Sequence, residues 1–141
     1  MMVYTFRTYR GIEKLRSVFG EVVVLDQIKK DIEELCKRIL EEKPGIVLGV
    51  ASTRGRSVFE PVAINNIHGH SISKDGECEL PLFVPSAVLF TISTRSTITF
   101  CNYSMYMIAE FIKKNGLETK IMFVHINQND EDRLKILVAM I

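Results

Sequence analysis

The sequence predicts a single α/β domain, residues 1–141, on three observations. Short apolar β-prone runs recur along the chain, a helical period separates two of them at the distance of a parallel crossover, and the composition is that of an ordinary soluble domain. With 47% hydrophobic and 25% charged side chains, the 141 residues are enough for one sizeable core without disulfide staples and too few for two full domains.

Val3 to Phe6 and Val22 to Leu25 read as buried strands, the second bounded by Gly20 and Asp26. The period then changes. Ile28, Ile32, Leu35, Cys36, Ile39 and Leu40 recur at helical spacing, Asp26 or Gln27 opens the segment and Lys43-Pro44-Gly45 closes it. Ile46 to Val50 follows as an uninterrupted apolar strand. Alternating apolar residues over Val58 to Ile67 predict a strand or hairpin interrupted at Pro61, and Leu82 to Val84 and Ala87 to Ile92 are further strand candidates. Thr91 to Thr99 is too polar for a core and too β-prone for a helix. Tyr103, Tyr106, Met107, Ile108, Phe111 and Ile112 then mark a helical face that stops at Asn115-Gly116, and Ile121 to Ile126 is another buried strand. Asn129 or Asp130 caps a last helix through Met140.

Eighteen Lys and Arg against seventeen Asp and Glu leave a net charge of +1, so the basic footprint of a nucleic-acid binder is missing and no nucleic-acid partner is expected. Cysteines 36, 78 and 101 are odd in number and lack a Cys-x-x-Cys spacing, which points to a reducing compartment and neither a disulfide framework nor a zinc ribbon. No apolar run is long enough to span a bilayer, and the first residues carry no apolar leader core; a cytoplasmic protein without membrane association is expected.

Cys101 stands where an extended polar loop joins a helix, and the unpaired N–H groups and dipole of a helix start favour a thiolate there. The competing reading is a small buried apolar residue. His125 falls at the C-terminal end of a strand, the edge of a parallel sheet where ligands bind and where a general base is well placed; it could equally be a histidine that caps the strand. Glu60 interrupts the apolar series Val58, Phe59, Val62, Ile64, either as a solvent-facing residue or as a buried carboxylate in need of a partner. His68 and His70 share a face of any strand, with Cys78 beyond a turn, but no fourth ligand stands out and no metal site is expected. Arg54-Gly55-Arg56 follows a strand without the pattern of a phosphate-binding loop. Phe6 and Tyr9 are either filler or the walls of a small pocket.

Taken together, these segments resemble the pyroglutamyl (pyrrolidone-carboxylate) peptidases. Phe100-Cys101-Asn102-Tyr103-Ser104-Met105-Tyr106 resembles that family's nucleophile motif, and Phe123-Val124-His125-Ile126 resembles its Phe-Ile-His-Val strand end. Gly49 to Arg54, running on through Phe59-Glu60-Pro61-Val62-Ala63-Ile64-Asn65, is similar without gaps to the family segment that carries its carboxylate. Tyr4 to Gly11 is similar to the family's Thr-Gly-Phe-Glu-Pro-Phe-Gly-Gly.

The resemblance implies a three-layer α/β/α sandwich with a mostly parallel sheet. It also implies a cysteine exopeptidase that needs no cofactor and takes an N-terminally blocked peptide or small amide as substrate. Cys101, His125 and Glu60 fall on the positions of nucleophile, base and carboxylate, Phe6 and Tyr9 on those of the lactam-pocket aromatics, and Arg54 on that of an arginine near the site. A homo-oligomer is implied as well. The sequence departs from the pattern in several places. The helix after the first strand is much reduced, the helix between Leu82 and Thr94 is missing, Arg10 replaces a glycine, Ser96 and Thr97 replace Ala-Gly, and Pro61 stands where Arg is usual. These departures motivate two rivals: a degenerate homologue that binds a peptide or partner without turnover, and a cysteine hydrolase of another small amide or ester.

Overall fold

The computed structural model describes residues 1–86 and 89–141. Its first half alternates strand and helix: β1 (Met2–Phe6), α1 (Ile12–Phe19), β2 (Val23–Leu25), α2 (Ile28–Glu42) and β3 (Ile46–Thr53). Four short strands follow, β4 (Val58–Phe59), β5 (Val62–Ile64), β6 (Glu79–Pro81) and β7 (Thr91–Ile92). Then come α3 (Phe100–Lys114), β8 (Lys120–Asn127), a 3-10 turn over Gln128–Arg133 and α4 (Leu134–Met140).

Among the described residues, six strands make one sheet in the order β2-β1-β3-β8-β4-β7. The four at the β2 end are parallel, as the crossovers through α1 and α2 require. β4 runs antiparallel to β8 and parallel to β7, and β5 and β6 form a separate antiparallel pair.

All of β1 is buried, and its alternate side chains serve two cores because successive strand residues face opposite ways. Met2, Tyr4 and Phe6 join Leu35, Ile108 and Ile112 on the side of α2 and α3. Val3 joins Leu15, Leu134 and Leu137 on the side of α1 and α4. Helices therefore cover both faces of a mostly parallel sheet, the expected three layers. No helix among the described residues is long and apolar enough to cross a membrane.

Several local expectations are corrected. The alternating series from Val58 to Ile67 splits between two sheets, because Pro61 has no N–H to continue the ladder; its carbonyl instead accepts the Leu82 N–H at 2.9 Å. Leu82 to Val84 is irregular, and the strand lies earlier, at Glu79–Pro81. Of the candidate Ala87 to Ile92, only Thr91–Ile92 is a strand, while Ala87 and Val88 lie outside the described residues. The last helix opens as a 3-10 turn and becomes α-helical at Leu134. The eight-residue α1, which the apolar pattern does not predict, is amphipathic around the single buried Leu15. α2 begins with Gln27 as N-cap, and the Asp31 carboxylate accepts the N–H groups of Asp26 and Gln27 at 2.7 and 2.9 Å.

Gly49 occupies the centre of the sheet, opposite Tyr4 on one neighbour and Phe123 on the other. A Cβ there would lie 2.4 Å from the Phe123 ring and 2.6 Å from that of Tyr4, both fully buried. Gly49→Ala is therefore expected to cost roughly 1–3 kcal/mol, read as a lower urea midpoint with an unchanged slope.

Candidate functional site

The site begins with how α3 starts. Its N-cap, Thr99, has extended backbone, and its hydroxyl is engaged with that of Thr97 at 2.7 Å instead of capping the helix. The first helical bond runs from the Tyr103 N–H to the Thr99 carbonyl, at 3.0 Å. The N–H groups of Phe100, Cys101 and Asn102 thus lack intrahelical partners, as at any helix start. Cys101 is half-buried in this turn.

Two buried polar side chains fix the turn. Asn102 is fully buried and ties α3 to the β5 segment: its Oδ1 accepts the Ile64 N–H at 2.9 Å, and its Nδ2 donates to the carbonyls of Ile64 and Asn66 at 2.8 and 2.9 Å. Ser104 donates to the Cys101 carbonyl at 2.7 Å and pairs with the Tyr4 hydroxyl at 2.9 Å. Burial pushes the Tyr4 hydroxyl well above its ordinary pKa, so it stays a neutral phenol in this bond. Neither role is visible in the sequence, although Asn102 and Ser104 lie within the motif around Cys101.

His125 stands near the end of β8, and its Nδ1 lies 2.9 Å from Oε1 of Glu60. Glu60, only 4% exposed, is buried, which excludes the solvent-facing reading. The sheet register accounts for the pairing. Val58 lies opposite His125 and Phe59 opposite Val124, and the Glu60 N–H extends the series to the Phe123 carbonyl at 3.0 Å. Residues directly opposite share a face, so Glu60 is the diagonal neighbour of His125 on the face that bears Phe123. The Phe123 ring packs 5.1 Å from the imidazole, and Ala51 is its neighbour on β3.

Burial alone would lower the His125 pKa. The Glu60 carboxylate hydrogen-bonded at the ring and the neighbouring Cys101 together outweigh it and raise the value from 6.5 to about 9. The short, aligned bond to the ring is the one to Glu60. At Cys36, which is buried away from this turn, burial with a smaller effect from Glu33 pushes the thiol up to about 11.

A recess of about 450 Å³ opens at the C-terminal edge of the sheet, lined by Cys101 together with Phe6, Tyr9, Thr99 and Phe100 among others. Of the three chemistry-bearing residues, Cys101 alone lines it. Phe6 and Tyr9 contribute little surface, at 8% and 5% exposed, because each also packs in a core, on opposite sides of the sheet. The Tyr9 hydroxyl donates to Glu131 at 3.1 Å. Arg54 is not in this recess. It lines an adjoining cavity of about 550 Å³ together with Arg10, because the Asn127 amide, donating to the carbonyls of Arg54 and Gly55, holds that turn on the far side of Ser52.

His68 has a left-handed backbone (φ 49°), and its ring meets Phe100 edge-on at 5.9 Å. Cys78 is exposed, and among the described residues no three His, Cys, Asp or Glu side chains converge as metal ligands.

Two outcomes follow from this geometry. Asn102→Ala strips three hydrogen bonds from a buried junction and is expected to cost about 2–3 kcal/mol in urea unfolding. His125 has a folded pKa above its unfolded value, so its stabilisation is complete below pH 6.5 and lost as pH rises through about 9. The stability gap between the natural protein and His125→Asn should narrow by up to about 3 kcal/mol between pH 6 and pH 10. A gap independent of pH would contradict the assignment.

No protein-family model matches the sequence, and no curated protein matches it. Solved structures do. The pyrrolidone carboxyl peptidase from Thermococcus litoralis is similar with a TM-score of 0.70 and 20% identity, over 89% of this chain and 75% of that one. Pyroglutamyl peptidase I from Bacillus amyloliquefaciens has a TM-score of 0.75 at 16% identity, over 99% of this chain and 90% of that one. A mutant pyrrolidone carboxyl peptidase (A199P) from P. furiosus has a TM-score of 0.69 at 19% identity, over 89% and 79% of the two chains. The chain has the α/β fold of the pyroglutamyl peptidases, as its sequence motifs led one to expect.

Proposed function

We propose that this protein is a cysteine exopeptidase that removes an N-terminal pyroglutamyl group. The observation that carries the reading is the buried Glu60–His125 pair, coupled to a cysteine in the first turn of α3 at the wall of a recess. The fold shared with proteins named pyroglutamyl peptidases supports it.

In this scheme the Cys101 sulfur, as thiolate, adds to the pyroglutamyl carbonyl carbon. The oxygen takes up the negative charge and is met by the free N–H groups of the α3 first turn, each worth on the order of 3 kcal/mol in comparable sites. His125 is an imidazolium at neutral pH, and its first act is donation: the C–N bond breaks as the proton passes to the departing amine. A thioester and a neutral imidazole remain. His125 then takes a proton from water as the hydroxyl attacks, and collapse releases pyroglutamate and the thiolate, to which the imidazolium is again paired. Glu60 holds Nδ1–H, so that the other ring nitrogen serves the reaction, and stabilises the cationic ring. Phe6 and Tyr9 present what apolar wall the recess has to the flat lactam.

The near-complete burial of Phe6 and Tyr9 favours a second reading, in which the same chemistry acts on another small amide or ester. A fluorogenic pyroglutamyl amide separates the two. Turnover is expected, abolished in Cys101→Ala, reduced at least a hundredfold in Glu60→Gln, and falling above about pH 9 as the imidazolium loses its proton. Absence of turnover above the Cys101→Ala background at any pH or temperature would end the pyroglutamyl reading. Iodoacetamide labelling of Cys101 then decides what replaces it. Fast alkylation at neutral pH leaves a hydrolase of another substrate, and a thiol that titrates like free cysteine leaves a binding protein.

A further inference from the structure

Beside the Cys101 recess lies a second, more polar cavity of about 550 Å³ that the chemistry above does not use. Arg10 and Arg54 both line it, and they do so from different parts of the chain, the loop after β1 and the turn after β3. Both are exposed, and among the described residues neither is engaged in an ion pair. The acid in the same cavity, Glu131, is already committed: its Oε1 accepts the Tyr9 hydroxyl, and its Oε2 lies 3.8 Å from Lys14. Gly11 permits that arrangement, since a Cβ there would lie 2.6 Å from the Glu131 carboxylate and 2.8 Å from the Tyr9 ring. Lys14 lies nearer Asp132, at 2.9 Å, so the Glu131 charge offsets part of the cavity's positive charge, and two arginines that pair with no acid stand against one carboxylate. It shares Thr8 and Ser52 with the Cys101 recess, so a chain leaving the recess across that rim enters it.

Guanidinium groups bind carboxylates as paired, charge-assisted hydrogen bonds, and two of them in one concavity favour an anion at a fixed place. We propose that Arg10 and Arg54 bind the free C-terminal carboxylate of a short substrate, so that peptide acids with one or two residues beyond the scissile bond are preferred over amidated or longer ones. The proposal rests on the pyroglutamyl reading for which bond is cut, and not for the presence of the anion site. Arg10 and Arg54 are specificity residues in this account, remote from the reacting atoms.

The test compares pyroglutamyl-alanine with its C-terminal amide in two measurements. The first is kcat/KM in the natural protein, Arg10→Gln, Arg54→Gln and Arg56→Gln. Arg56 is equally exposed but lines neither cavity, so it controls for lost net charge. The acid should exceed the amide by roughly tenfold or more, and the ratio should fall towards one in the Arg10 and Arg54 variants while Arg56→Gln keeps it. The second is calorimetric binding of the same two peptides to Cys101→Ala, which needs no turnover. Acid-selective binding that Arg10→Gln removes sustains the anion site even where no hydrolysis occurs and the pyroglutamyl reading has failed. Hydrolysis of both peptides at a ratio that neither arginine changes leaves the peptidase standing and overturns the anion site. Equal binding, or none, of acid and amide to Cys101→Ala overturns it as well.

Discussion

The contact between Glu60 and His125 depends on register. β4 is two residues long and antiparallel in an otherwise mostly parallel sheet, yet its alignment on β8 decides which face the carboxylate occupies. A slip of one residue would send Glu60 into the core that holds Phe59, Val124 and Leu137, and Phe59 towards the imidazole. Either change buries a charge without a partner, which is far costlier than any strain in so short a strand. The pairing of Phe59 with Phe90, their rings 5.5 Å apart, anchors the register from the opposite face. Packing on one side of the sheet thereby sets the electrostatics on the other.

The same economy governs the start of α3. A helix N-terminus offers N–H donors only if nothing inside the protein takes them, and a serine or threonine N-cap ordinarily takes one. Here Thr99 is turned to Thr97, and the turn is held instead by two of the helix's own side chains, Asn102 reaching across to β5 and Ser104 back to the Cys101 carbonyl. The first turn is therefore rigid and still has unpaired donors. That combination suits a nucleophile and an oxyanion better than a capped helix would.

Much of this was legible in the sequence where local pattern and long elements coincide. The apolar runs of β1, β3 and β8 and the helical period of α2 survive in the structure with shifts of one to three residues. The position of His125 at a strand end follows from the same pattern. What local pattern could not supply was pairing over long separations. Glu60 was ambiguous because its partner is 65 positions away, and Asn102 gave no signal because its three bonds all reach the backbone of another segment. The division of Val58 to Ile64 between two sheets turns on one missing N–H at Pro61, a local cue whose consequence depends on which strand lies alongside. Sequence likeness puts Arg54 near the site without saying on which side of it; the Asn127 amide holds its turn at the adjoining cavity, which shares Thr8 and Ser52 with the Cys101 recess.

Phe123 connects core and site. Its ring lies 6.1 Å from Tyr4, 6.4 Å from Phe6 and 5.1 Å from His125, and it presses on the face where Gly49 has no side chain. Tyr4 in turn holds Ser104, and through it the Cys101 carbonyl, so one aromatic cluster touches both the imidazole and the support of the thiol. A loss of volume at Phe123 would leave both free to move, and interiors packed to crystal density do not close such a gap without displacing neighbours. The distance between sulfur and imidazole is thus set by packing at the centre of the sheet as much as by the residues that meet at its edge. For that reason, changes in the core at Gly49, Tyr4 or Phe123 should act on the proposed chemistry even where the fold survives them.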